Sequence, residues 1–104
     1  MSAYVVVEVT VKDAQRYDRY KELAPPSIGQ YGGRYVARGA ECVLLEGSWQ
    51  PKRLVILEFP TKERALAWWN SPEYADAKAL RQATASTEMV LIDGVAPGSI
   101  PGAS

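Results

Sequence analysis

The chain has 104 residues, twelve Lys plus Arg against twelve Asp plus Glu, no His and a single Cys. Without His there can be no His-based catalytic triad, no His-ligated zinc or haem iron and no ordinary neutral-pH proton shuttle. One Cys allows no internal disulfide, and zero net charge offers no basic surface for nucleic acid or anionic lipid, so neither partner is expected, nor any cofactor or metal.

Along the chain, Tyr4-Val5-Val6-Val7-Glu8-Val9 is β-branched and polar at its ends, which predicts a buried strand. There is no basic region before it and Glu8 interrupts the apolar run, so no signal peptide or membrane span is read and a cytoplasmic protein is expected. Asp13 is placed to cap a helix over about residues 14–24, with Tyr17, Tyr20, Leu23 and Ala24 at helical spacing. Pro25-Pro26 is expected to stop it, because a residue before proline is pushed out of the α region.

Residues 28–33 then read as a turn in which Gly32-Gly33 lacks any phosphate-loop pattern. Residues 34–38 and 42–46 follow as two extended pieces around Gly39, with Cys42 expected to be a small core residue. A second strongly apolar strand covers residues 53–59. Thr61 caps a helix over about 62–70, and Ser71-Pro72-Glu73 restarts one that runs to about Ala83, with Ser as cap, Pro where its missing N–H is harmless and Glu facing the positive end of the dipole. The last strand is read over 88–93. Residues 1–95 make one domain, and 96–104, rich in Gly, Pro, Ala and Ser, read as a flexible tail.

The order is β-α-β-β-α-β, and the first and second halves echo each other at an offset of fifty residues, Val5, Glu8 and Lys12 recurring as Val55, Glu58 and Lys62. This predicts an α+β, ferredoxin-like fold with an antiparallel sheet and both helical units on one face. Both alternating sets of strand residues are apolar: Val5, Val7, Val9, Val55, Leu57, Phe59, Met89 and Leu91 on one side, Tyr4, Val6, Leu54, Ile56, Val90 and Ile92 on the other. Helices can cover only one face, so the other is expected to stack on a second copy of the chain, a homodimer through sheet faces.

Charges inside apolar strands are the candidate site. Glu8 and Glu58 share the even-numbered face, and the first and third strands are expected to be parallel neighbours, which would bring the two carboxylates close together. One would then be pushed up in pKa and suited to act as acid or base. Pairing with Arg34, Arg38 or Arg53 is the plain structural alternative. Arg38 and Arg53, with Glu46, bracket the central strands, where either Arg could clamp a carboxylate or serve only to charge an exposed edge. Tyr20, Trp69, Tyr74 and Arg81, with Tyr17 and Trp68, lie at helical spacing that suits either the wall of a pocket or plain core.

The segments Gly32-Gly33-Arg34-Tyr35-Val36-Ala37-Arg38-Gly39, residues 45–53, Glu58-Phe59-Pro60, Ala67-Trp68, Ser71-Pro72-Glu73-Tyr74 and Leu80-Arg81 together resemble the bacterial domain-of-unknown-function family numbered 1330. The resemblance implies a dimeric α/β barrel. That fold is similar to cofactor-independent antibiotic-biosynthesis monooxygenases, muconolactone isomerases, polyketide cyclases and chlorite dismutases; its haem-binding members depend on a histidine that this chain lacks. The expectation is a homodimer that binds a small acidic or aromatic metabolite between sheet and helices. Catalysis, if present, would be cofactor-free, with Glu58 or Glu8 as acid or base and Tyr20, Arg38, Arg53, Trp69, Tyr74 and Arg81 around the ligand. The alternative is a non-catalytic dimerisation or regulatory module.

Overall fold

The structure, a computed structural model, describes residues 2–95. Four strands, β1 (Ala3–Val11), β2 (Arg34–Arg38), β3 (Leu54–Phe59) and β4 (Ala85–Asp93), form one sheet in the order β2-β3-β1-β4, every neighbouring pair antiparallel. Helices α1 (Ala14–Gln30), α2 (Lys62–Trp69) and α3 (Pro72–Thr84) cover one face. This is the ferredoxin-like arrangement. The tail expected over 96–104 lies outside the described residues.

The core is built from the odd-numbered strand residues. Val5, Val7, Val9, Leu57 and Phe59 are buried against Tyr17, Ala24 and Ile28 of α1, Ala65 and Trp68 of α2, and Tyr74 and Ala77 of α3. Trp68 is 1 % exposed, its ring 4.1 Å from that of Tyr74 and 5.3 Å from that of Phe59. Its Nε1–H donates to Ser27 Oγ at 3.1 Å, which satisfies the one polar atom that so large an apolar side chain carries inward. The helix starts follow their capping chemistry: Arg16 N donates to Asp13, Arg64 N to Thr61 and Tyr74 N to Ser71.

Three expectations need correction. The first helix does not stop at Pro25-Pro26 but runs through them to Gln30. Pro25 has no N–H for the Lys21 carbonyl one turn back, and Arg38 Nη2 donates to that oxygen instead, at 3.2 Å. The buried face formed by Ala24, Ser27 and Ile28 outweighs the lost hydrogen bonds. Residues 42–46 form no strand, and β3 is already flanked on both sides, by β2 and β1, so no place beside it is left for them. Cys42 is accordingly half-buried in an irregular loop and not a core residue, and Leu45 is 93 % exposed. Finally, β4 starts directly after α3, three residues earlier than expected, because its pairing with β1 continues to Val11 and Ala85.

The sheet's other face is uncovered by helices. Val6, Leu54 and Ile56 lie half-buried at its centre, while Val90 and Ile92 are 61 % and 59 % exposed. Trp49, from the loop before β3, reaches this face and donates through Nε1 to Glu8 Oε2 at 3.0 Å.

Candidate functional site

The antiparallel register separates the two glutamates. Tyr4 lies opposite Glu58 and Glu8 opposite Leu54, so the carboxylates share a face but sit at opposite ends of the β1–β3 ladder. The close pair expected from parallel strands is therefore not formed: in a split β-α-β unit the inserted strand must run against its neighbours. Glu58 instead accepts from Arg34 Nη2 and Nε at 2.7 and 2.8 Å and from the Tyr4 hydroxyl at 3.1 Å. Hydrogen bonding from Ser2, then from Tyr4 and Arg34, holds its carboxyl below the ordinary value.

On the helix-covered face the other candidates do come together. A cavity of about 30 Å³ lies between α1, α3 and the sheet, lined among others by Tyr20, Tyr35, Arg38, Arg53 and Arg81. Its cationic side chains differ in what they meet. Lys21, also at this cavity, reaches out to Asp18 at 3.0 Å, and Arg38 stacks on the Tyr35 ring at 4.2 Å while holding the Lys21 carbonyl. Arg53 Nε is buried with no hydrogen-bond partner.

Arg81 is 3 % exposed, and its Nε donates to the Tyr74 hydroxyl at 3.3 Å. Its Nη2 has no partner, and among the described residues no carboxylate lies within ion-pairing distance. The Tyr74 and Tyr20 hydroxyls are 2.9 Å apart. Burial, reinforced by Tyr74, pushes the Tyr20 phenol well above its usual range, so it remains protonated.

Arg81 also lines a second, more open cleft of about 360 Å³ between α3 and β4, with Trp69, Gln82, Ala85, Thr87, Glu88 and Met89. Thr87 Oγ1 is buried there with no partner. An apolar groove of about 190 Å³ continues along β4 beneath α2, sharing Trp69 and Met89 with the cleft and adding Leu66 and Leu91. The space thus runs from a polar end, Arg81 and Thr87, to an apolar end. Glu8 and Glu58 lie across the sheet from it.

Sequence reasoning reached Trp69 and Arg81 but missed Thr87 and Met89 as site residues. Thr87 fell in the gap expected between the last helix and a strand starting at residue 88. Its one signal was its parity: it lies on the helix-facing, odd-numbered set and carries a hydroxyl among apolar neighbours. Among the described residues no three Cys, Asp or Glu side chains gather to hold a metal ion, and no helix is long and apolar enough to cross a membrane.

The family model described as Domain of unknown function (DUF1330) matches residues 2–95. The chain belongs to this family. Among solved structures, the DUF1330 chain is similar to a protein of unknown function from Rhodopseudomonas palustris at 19 % identity and TM-score 0.75, covering 92 % of this chain and 84 % of that one. It is also similar to a dimeric ferredoxin-like protein of unknown function from Jannaschia sp. CCS1, at 13 % identity and TM-score 0.72 over 90 % of this chain and 100 % of that one. A third likeness is to SnoaB, a cofactor-independent oxygenase from Streptomyces nogalater, at 13 % identity and TM-score 0.65 over 92 % and 97 % of the two chains. At these identities the likeness establishes the ferredoxin-like fold. No curated protein matches.

Proposed function

We propose that this DUF1330 protein binds a small organic acid in the cleft between α3 and β4, and that it works as a homodimer joined through its open sheet face. The observation that carries the first part is the convergence of two buried, unpartnered polar atoms, Arg81 Nη2 and Thr87 Oγ1, on one cleft. A buried guanidinium without a counter-charge is costly, and a ligand carboxylate would supply both the charge and the missing acceptor. The volume of the cleft suits a small metabolite. The adjoining groove of Trp69, Leu66 and Met89 would take an apolar or aromatic body, and Glu88 at the rim would disfavour a second negative group nearby.

Tyr74 supports this site by holding Arg81, and Lys78 fixes Trp69 from the other side, its Nζ donating to the Trp69 carbonyl at 2.8 Å. The reading assigns no step to Glu8 or Glu58, which fit an interface role on the opposite face.

The test is thermal-shift screening with aromatic and aliphatic carboxylates, each paired with its neutral amide. Carboxylates should raise the melting temperature and amides should not. Arg81→Met should weaken a hit roughly thirtyfold, about 2 kcal/mol, and Thr87→Val should weaken it less. Equal binding of acid and amide, or a hit indifferent to both substitutions, would refute the reading.

The dimer part rests on the exposed Val90 and Ile92 beside Val6 and Ile56, on a face that already carries Trp49. The description of the Jannaschia neighbour as dimeric agrees with it.

A further inference from the structure

The small cavity behind the cleft is chemically distinct from it. Arg53 Nε and Arg81 Nη2, both buried and both without a hydrogen-bond partner, belong to side chains that line it. No carboxylate lines it; its charged side chains are Lys21, Arg38, Arg53 and Arg81.

The tyrosines add a further donor. Two hydroxyl protons are available at the Tyr20–Tyr74 contact, which uses only one of them. Arg81 already donates to Tyr74. If Tyr74 passes its proton toward Tyr20, the Tyr20 O–H is left over on the side of the cavity that Tyr20 lines. Arg53 Nε and Arg81 Nη2 are thus two donors without an acceptor at this cavity, and Tyr20 can supply a third.

Arg53 is held there by design of the backbone. Gly39 has φ of +73°, and a Cβ at that position would collide with Arg53 Nη1, so the absence of a side chain at residue 39 leaves room for the guanidinium. With a volume near 30 Å³ the cavity has space for one or two waters or a single monatomic anion, and none for a metabolite.

We infer that this cavity is a halide site, in which one chloride ion takes hydrogen bonds from Arg53, Arg81 and Tyr20. The halide and the proposed cleft ligand would meet at Arg81, which lines both spaces, but each has a residue of its own: Arg53 does not line the cleft, and Thr87 does not line the cavity. A bound halide would neutralise buried positive charge at Arg53 and Arg81.

The test uses bromide as the probe. Crystals of the whole chain grown or soaked in sodium bromide should give an anomalous difference peak between Arg53 and Arg81. In solution, at an anion concentration ten times the dissociation constant, bromide or chloride should raise the melting temperature of the wild type by roughly 5–10 °C. Arg53→Met should lose this rise, and Arg53→Lys should keep only part of it. Thr87→Val should leave the halide response intact while weakening the cleft ligand, so the two sites fail separately. A cavity that holds only water at saturating bromide, peaks confined to surface lysines and arginines, or an unchanged halide response in folded Arg53→Met would overturn the inference.

Discussion

At the scale of single residues, partner geometry decides what each charged or polar side chain does. Glu58 was legible from the sequence as an unusual charge inside an apolar strand, and Arg34 as one of three candidate partners, but which of them it meets, and that Tyr4 joins it, depends on strand direction and register. With Arg34 and Tyr4 around it, Glu58 has a folded pKa below its ordinary 4.5. A depressed carboxylate pKa contributes stability above the unfolded value that is lost as pH falls through the folded one. Stability should therefore hold above about pH 5 and decline below it, and the decline should be shallower in Glu58→Gln, as urea midpoints across an acid series would show. Trp68 belongs to the same scale. Removing a ring that touches Phe59 and Tyr74, together with its bond to Ser27, should make Trp68→Ala about 3–5 kcal/mol less stable by denaturant titration.

At the scale of elements, capping residues and apolar spacing placed α2 and α3 within a residue or so of where they lie. Asp13, Thr61 and Ser71 all cap as their chemistry suggests. The end of α1 was not legible, because local rules for proline take no account of a donor seventeen residues along the chain from the carbonyl it serves. Arg38 on β2 supplies what Pro25 removes. Arg38→Met should cost about 1 kcal/mol and speed amide hydrogen exchange over residues 25–30 more than elsewhere in α1, measurable by mass spectrometry. The start of β4 was missed for a related reason. Ala85 and Ser86 have little strand character of their own, and with the single β-branched Thr87 they are recruited by pairing with Val11, Thr10 and Val9. That shift of three residues brings Thr87 onto the site.

At the scale of the whole molecule, the sheet has one face buried by three helices and one left to a proposed second copy. Val6 and Ile56 lie at the centre of the open face and Val90 and Ile92 on its β4 edge, and the exposed Val43, Leu44 and Leu45 project from the loop that delivers Trp49 to the same face. A wild-type sedimentation mass of twice 11.4 kDa is expected. Ile56→Asp should shift it to the single-chain mass while circular dichroism retains the helices, since the substituted position lies away from the helix-covered core. A wild type that sediments as one chain at micromolar concentration would overturn the dimer.

Composition by itself settled that no histidine chemistry and no internal disulfide are available to this chain. Periodicity settled the order of elements and the two apolar sheet faces, because alternation and helical spacing are local consequences of backbone geometry. Only the tertiary structure decided that Glu8 and Glu58 lie apart, that residues 42–46 stay outside the sheet, and that Arg81 and Thr87 meet at one cleft. Those outcomes depend on strand direction and register, which are set by contacts between residues far apart in the chain. The zero net charge thus conceals a buried guanidinium, on Arg81, that meets no carboxylate among the described residues.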